Sequence, residues 1–198
     1  MPESPYGRES LHALLLSFAV IFVAELGDKS QLMALAFAAR YRPLPILAGI
    51  TIATAVVHLC SVAVGAAVGT ALPTRAISFV AGVAFFAFAL WTLRGDELDD
   101  DEEARATTRA RSPFVAASLA FFLAELGDKT MLATITLATR EGLAGTWAGS
   151  TLGMVAADAL AIAIGAQLGR RLPERSIRIG AAASFVVFGV LLVAEGIR

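Results

Sequence analysis

The chain has 198 residues, of which 57% are hydrophobic and only 17% charged, and its formal net charge is −1. A soluble domain carries about a quarter charged residues, so this composition, with a mean hydropathy of +0.72, excludes an ordinary soluble domain and indicates an integral membrane protein. The single cysteine, Cys60, excludes an internal disulfide and a thiolate metal cluster. We predict no resident cofactor and no nucleic-acid partner.

Six hydrophobic segments follow one another along the chain. Each reaches the roughly 20 residues that a helix needs to cross the hydrocarbon, the third only just. They cover approximately residues 11–39, 44–70, 76–93, 113–139, 144–169 and 176–195. We expect the first to be a retained span, because it is too long for a cleaved signal. Continuous apolar runs favour helices over a barrel, so the predicted fold class is an all-α integral membrane protein with six transmembrane helices.

The two halves of the chain are copies of each other. Many residues recur 100 positions later without a gap, including Glu25 and Glu125, Asp28 and Asp128, Gly49 and Gly149, Gly65 and Gly165, Gly69 and Gly169, and Leu72-Pro73 and Leu172-Pro173. Each copy holds three spans, an odd number, so the second must enter the membrane from the opposite side. The sequence therefore predicts two inverted three-helix repeats, 1–93 and 113–198, joined by an acidic linker at 94–112.

Arginine counts predict the orientation. The loops after the first, third and fifth segments and their flanks hold ten arginines, whereas the termini and the remaining loops hold four. The positive-inside rule then places the central linker in the cytoplasm and both termini outside. The excess of arginine over lysine suggests a bacterial source, and hence the plasma membrane.

Two motifs interrupt the apolar runs near the predicted midplane: AELGDKS at 24–30 and AELGDKT at 124–130. Glu and Asp at i and i+3 share a helix face, and each charge there costs at least about 2.5–3.5 kcal/mol. Such a cost is normally tolerated only in a protein-lined or wet cavity. All the proposed ligands are hard oxygens, which suit Ca²⁺, Mn²⁺ or Mg²⁺. The candidate metal ligands are Glu25, Asp28, Glu125 and Asp128.

Other residues are candidates for accessory or proton-coupling roles. Gly27 and Gly127 are expected to break the helices and free backbone carbonyls. Four carboxylates and two lysines sum to −2, a charge that one divalent cation or two protons would neutralise, which is the logic of exchange. His58 and Asp158 match at the same offset and are candidates for a proton relay. The accessory set is Lys29, Ser30, Gln31, Lys129, Thr130, His58 and Asp158.

The doubled motif resembles a known family. Two copies of E-x-G-D-[KR]-[ST], each in the first span of a three-span repeat, look like the Golgi, plastid and bacterial cation/proton exchangers implicated in Ca²⁺ and Mn²⁺ transport, within the lysine-exporter superfamily. The resemblance implies that the four acids carry the metal and that export is coupled to inward proton flow. Some members have Gln directly after the motif, which Gln31 matches and Met131 does not.

Several other readings are open at this stage. The transporter could export an amino acid or another small solute, although paired acids suit a cation better. An intramembrane aspartyl protease of the G-x-G-D kind would need glycine where Glu25 stands, so we predict no enzyme. The acids could also form only an inter-helix salt bridge, Asp28 to Lys129 for example. The Gly65-x₃-Gly69 and Gly165-x₃-Gly169 patterns indicate close helix packing. Metal preference between Mn²⁺ and Ca²⁺ and the oligomeric state are open.

Overall fold

The structure, a computed structural model, describes residues 5–94, 112–168 and 174–197. Those residues form eight α-helices and no strands, which confirms the all-α fold class. The helices are α1 (Pro5–Glu25), α2 (Lys29–Ala38), α3 (Pro43–Ala71), α4 (Thr74–Arg94), α5 (Pro113–Glu125), α6 (Lys129–Ala138), α7 (Leu143–Leu168) and α8 (Glu174–Ile197). Most of the predicted acidic linker, residues 95–111, lies outside the described residues, and so do Gly169, Leu172 and Pro173.

Helix length and composition identify the membrane-spanning elements. Among the described helices, Pro43–Ala71, Arg75–Arg94 and Leu143–Ile164 are each long and apolar enough to cross a bilayer. Glu9–Glu25 and Lys29–Ala38 pass the same test as a pair, but they are bent by 76° at the break between them. Pro113–Glu125 and Ile179–Ala194 are apolar but shorter. The first and fourth predicted segments are therefore each two helices instead of one continuous span.

Proline begins three of the described helices, α1, α3 and α5. Pro43 and Pro113 stand at the first position of α3 and α5, where a backbone N–H would have no helical partner in any case. Ser112 caps α5, because its side chain accepts a hydrogen bond from the Val115 N–H at 3.4 Å. These residues determine where α3 and α5 begin.

The two halves of the chain interlock. Helix α1 packs along α7 and α5 packs along α3, so the first helix of each half lies mainly against the other half, while α4 packs on α8. Glycines 100 positions apart permit both close approaches: a Cβ on Gly49 would lie 2.7 Å from the Phe114 carbonyl oxygen, and one on Gly149 would lie 3.0 Å from Leu14 Cα. The halves thus form one bundle through contacts between them.

The Gly65-x₃-Gly69 pattern marks a second close approach, as the sequence predicts. A Cβ on Gly65 would lie 2.5 Å from the Ile135 carbonyl oxygen, and one on Gly69 would lie 2.7 Å from that of Thr139. This brings α3 against α6 and the residue that follows it. The contacts of Gly165 and Gly169 lie outside what the structure describes.

Apolar side chains cover much of the outside of the bundle. Large hydrophobic residues such as Leu44, Val80, Leu119 and Leu191 are between 59% and 80% exposed. Several acidic, hydroxyl and amide side chains are instead fully buried. This arrangement, unfavourable in water, is the one that a protein surrounded by hydrocarbon requires.

Candidate metal centre at the helix breaks

The two motifs occupy matching breaks in the helices. Helix α1 ends at Glu25 and α2 begins at Lys29, and α5 and α6 repeat this at Glu125 and Lys129. Within the described residues, only Gly27 and Gly127 have positive φ, at 75° and 83°. Non-glycine residues rarely adopt this conformation, so a glycine there lets the chain leave one helix and start another.

Each break places its two acids at the ends of the helices that flank it. The glutamate is the last residue of one helix, and the aspartate is the N-cap of the next. A helix N-terminus carries a partial positive charge that favours an anionic side chain. All four acids are buried, with at most 3% of each residue exposed.

Lysines pair with aspartates crosswise between the halves. The Lys129 ammonium donates a hydrogen bond to Asp28 Oδ1 in an ion pair from which water is excluded. The Lys29 ammonium lies 4.0 Å from Asp128 Oδ1, and its side chain is 20% exposed, against 3% for Lys129. The structure therefore brings the two motifs face to face, with both lysines beside the acids.

The motif hydroxyls contact different acids in the two copies. Ser30 Oγ donates to Asp28 Oδ2 at 3.2 Å. Thr130 Oγ1 donates to Glu125 Oε2 at 2.9 Å. Each hydroxyl remains within its own motif, but one serves the aspartate and the other the glutamate.

The residue after each motif accepts a hydrogen bond from the backbone N–H of the glycine at the helix break. Gln31 Oε1 accepts from the Gly27 N–H at 2.9 Å, and its Nε2 donates to the Ala157 carbonyl at 3.0 Å. Met131 Sδ accepts from the Gly127 N–H at 3.2 Å. Met131 thus keeps the hydrogen bond to the glycine N–H, but it has no amide group that could donate a second hydrogen bond as Gln31 does.

Salt bridges alone do not account for the buried acids. Within the described residues, neither oxygen of Glu25 or of Asp158 has a hydrogen-bond partner, nor has Glu125 Oε1. Glu25 interacts electrostatically with Glu125 and Asp158 as well as with Asp28. Glu125 interacts in turn with Asp128, so five carboxyl groups influence one another. Among the described residues, Glu25, Glu125 and Asp158 carry oxygens that no side chain or backbone group satisfies. A buried acid of this kind indicates a ligand.

His58 is fully buried but is not joined to Asp158. In the part of the chain that the structure describes, neither ring nitrogen of His58 has a hydrogen-bond partner, and the same holds for both Asp158 oxygens. A direct relay between these two residues is therefore absent from this arrangement. Asp158 interacts electrostatically with Glu25 and Glu125, whereas neither His58 ring nitrogen forms a hydrogen bond with an acid in the described residues.

The acids are not gathered around one point. No group of three or more acidic, histidine or cysteine side chains among the described residues is arranged to hold a metal ion. The ammonium of Lys129 occupies one side of Asp28 instead.

Comparison with known proteins identifies the family. The family model described as "Divalent cation/proton antiporter GDT1" matches residues 13–100 and again residues 113–198. The chain belongs to the GDT1 family. It is accordingly a membrane transporter of divalent cations and protons and not an enzyme, and the family identity favours cation exchange over export of an amino acid.

Relatives of the GDT1 family match nearly the whole chain. A Vibrio cholerae protein named "Putative manganese exporter" is 37% identical over 183 residues, which cover 91% of this chain and 90% of that protein. The GDT1-like protein sll0615 of Synechocystis is 31% identical over 91% of this chain and 96% of its own length. The chloroplastic protein PAM71 of Arabidopsis thaliana is 30% identical over 90% of this chain, which spans 56% of that protein. No solved structure matches the chain.

Proposed function

We propose that this GDT1 family member exports Mn²⁺ from the cytoplasm in exchange for protons, and that the two E-x-G-D motifs hold the cation between them. The observation that carries the proposal is the face-to-face placement of two buried acidic breaks, linked by crosswise lysine–aspartate pairs. The 37% identity to a protein named for manganese export favours Mn²⁺ among the divalent cations. Ca²⁺ accepts the same oxygen ligands and is the nearest competitor.

The proposed ligands are the carboxylates of Glu25, Asp28, Glu125 and Asp128, with Asp158 beside them. Five carboxylates and two ammonium groups sum to −3 when all are ionised, so a loaded divalent cation leaves one charge for a proton or a further contact. An arriving cation takes the Asp28 oxygen that Lys129 now contacts. Protons then displace the metal on the far side, because they compete for the same oxygens.

The six-span inverted repeat is part of the proposal. Its support is that residues 100 positions apart touch each other, as they must on a two-fold axis that relates the halves. Thr54 Oγ1 donates to Met154 Sδ at 3.3 Å, where α3 meets α7. The rings of Phe85 and Phe185 lie with their centroids 5.8 Å apart, where α4 meets α8.

The ends of the helices support the same topology. His12 in α1 lies 3.3 Å from Glu141, beside the α6–α7 connection. The start of α5 at Phe114 lies against Gly49, near the α2–α3 connection. The start of α1 therefore lies at the same end of the bundle as the α6–α7 connection. The start of α5, next to the linker, lies at the same end as the α2–α3 connection. Arginine counts assign the linker side to the cytoplasm of a bacterial plasma membrane.

Transport in proteoliposomes tests the function. The purified protein is reconstituted with an internal pH dye and given Mn²⁺, Ca²⁺, Mg²⁺ or Cd²⁺ under an imposed pH gradient. We expect Mn²⁺ flux accompanied by opposite proton movement, and slower concentrative flux once the gradient is abolished. Mn²⁺ flux that leaves the dye unchanged under charge clamp would indicate a channel or uniporter, and a stronger response to Ca²⁺ would replace Mn²⁺ as the main substrate.

A further inference from the structure

At four positions, buried hydroxyl side chains on one side of the acidic site correspond to buried apolar residues on the other. The residues that we call the hydroxyl cluster are fully buried in α1, α6 and α7: Ser17, Thr134, Thr146 and Ser150. At the equivalent positions of the other half stand equally buried apolar residues, which we call the apolar cluster: Ala117, Ala34, Ile46 and Ile50. The repeat therefore preserves burial at all four pairs of positions while changing the polarity of one side.

The hydroxyl cluster lies towards the end of the bundle where α1 begins. Ser17 precedes Glu25 by about two helical turns, and Thr134 follows the second break in α6. Helix α7 starts at this end, as the contact of His12 with Glu141 shows. Close packing of α1 on α7 also places the segment from Leu14 to Phe18 against Gly149 and Gly153. Ser17 and Ser150 thus lie in the two facing segments.

Three of the four hydroxyls have no partner in the described part of the chain. They are Ser17 Oγ, Thr134 Oγ1 and Thr146 Oγ1, whereas Ser150 Oγ donates to the Trp147 carbonyl at 3.2 Å. A buried hydroxyl that is left unsatisfied destabilises the folded protein, so such groups normally bind ordered water. The apolar cluster creates no such demand, so water is favoured around the hydroxyl cluster over its counterpart positions. Among the described residues, the Thr92 hydroxyl near the linker end of α4 is a separate buried hydroxyl without a hydrogen-bond partner.

A cavity opens at the same end of the bundle. It has a volume of about 290 Å³, and its polar lining residues, His12, Thr136, Arg140 and Glu141, stand beside apolar side chains of α1, α4, α6 and α8. None of the four hydroxyl residues lines the cavity itself, but Leu16 adjoins Ser17 in the sequence, and Leu137 follows Thr134 by about one helical turn.

The equivalent region of the other half is filled. Phe37, the counterpart of Leu137, is fully buried in the apolar core. Its ring packs against that of Tyr41, the counterpart of Glu141, with 6.3 Å between centroids. Aromatic rings therefore close the end of the bundle that faces the linker, where the other end has a cavity.

We propose that the hydroxyl cluster and this cavity form a hydrated half-pathway, through which water, protons and the divalent cation pass between the acidic site and the end of the bundle where α1 begins. The apolar cluster, Phe37 and Tyr41 seal the opposite end in this conformation. A hydroxyl both donates and accepts hydrogen bonds, so it can contact hydrated cations and proton-carrying water alike. The identity of the cargo rests on the function proposed above, whereas the path for water does not.

Cysteine labelling tests the path without measuring transport. Ser17→Cys and Thr134→Cys, with Ala117→Cys and Ala34→Cys as their matched counterparts, are made in a Cys60→Ala background and placed in nanodiscs, where both ends are accessible. A cationic methanethiosulfonate reagent is added, and His12→Cys, whose native side chain is 69% exposed, sets the rate for an open position. Because thiol reaction requires exposure to water, we expect the first pair to react at least about tenfold faster than the second. Equal rates, or faster labelling of the second pair, would overturn the half-pathway.

Removal of the hydroxyls tests whether cargo uses the path. The double variant Ser17→Ala with Thr134→Val should reduce Mn²⁺ transport about tenfold, the low end of the range for groups that contact a metal indirectly. Its thermal unfolding midpoint should not fall, because these hydroxyls have no protein partner to lose. The control, Ser118→Ala with Thr51→Val, removes hydroxyls already bonded to Phe114 and Leu47 carbonyls, and should transport normally. Unchanged transport in the test variant would contradict cargo passage here. A wild-type protein that moves no divalent cation would reject the proposed function and leave the labelling result to decide the water path.

Discussion

The second copy of the motif holds its lysine inside the protein, and the first copy does not. Lys129 is buried and bonded to Asp28, whereas Lys29 is partly exposed and lies 4.0 Å from Asp128. The two motifs differ by only one residue, Ser30 against Thr130, so the motif sequence does not explain the difference. In transporters built from inverted repeats, the two repeats can exchange conformations, and this exchange changes the side of the membrane to which the central site opens. Nearly identical motifs therefore hold unequal positions within one conformation.

The residues after the motifs show a second inequality, which the neighbouring helices explain. The Val57 carbonyl of α3 accepts from Ser61 Oγ at 2.8 Å. The matching carbonyl, that of Ala157 in α7, has an alanine one turn later, at 161, and accepts from Gln31 instead. The Val57 carbonyl, which already accepts from Ser61, therefore needs no amide from the residue after the second motif, and that residue is Met131.

Removal of charge from the acids should have the largest effect. The changes Glu25→Gln, Asp28→Asn, Glu125→Gln and Asp128→Asn keep side-chain volume but remove the charge of a proposed metal ligand. Changes to groups that only support a metal cost about 10–100-fold, so we expect each substitution to reduce Mn²⁺ flux by at least about 100-fold. Membrane insertion should be unaffected. Flux in proteoliposomes and protein abundance in membranes measure the two quantities, and retained flux in three of the four variants would reject a shared site.

The sequence predicts some of this site and not the rest, for physical reasons. Acids recur at Glu25 and Glu125 inside apolar runs, where their cost predicts a buried site, and their glycine neighbours predict the breaks. Which lysine enters the protein is not predictable, because both copies present the same Asp-Lys pair. The hydroxyls of Ser17 and Thr134 were also missed. Serine and threonine in helices commonly form hydrogen bonds to their own backbone. Only the alanine at the matching position of the other half distinguishes Ser17 and Thr134 from such ordinary hydroxyl residues.

Removal of the two lysines should have unequal effects on stability. Lys129→Gln leaves Asp28 buried beside a neutral side chain, and breaking a buried ion pair typically costs about 3–5 kcal/mol. Lys29→Gln removes a longer, partly exposed contact, for which roughly 0–1 kcal/mol is typical. We therefore expect a much larger drop in the thermal unfolding midpoint for Lys129→Gln, measured in detergent without metal. Equal drops would mean that the two lysines exchange places freely.

The smallest effect concerns the amide of Gln31. Gln31→Met makes the first copy resemble the second and removes the hydrogen bond to the Ala157 carbonyl, whose net worth is about 0.5–1.5 kcal/mol. Ala161→Ser should restore most of that loss, because a serine there can donate to the carbonyl one turn earlier, as Ser61 does in α3. A double-mutant cycle on unfolding free energy measures this coupling directly. Additive effects of the two substitutions would show that the amide of Gln31 and a serine hydroxyl do not substitute for each other, and the methionine at 131 would then need another explanation.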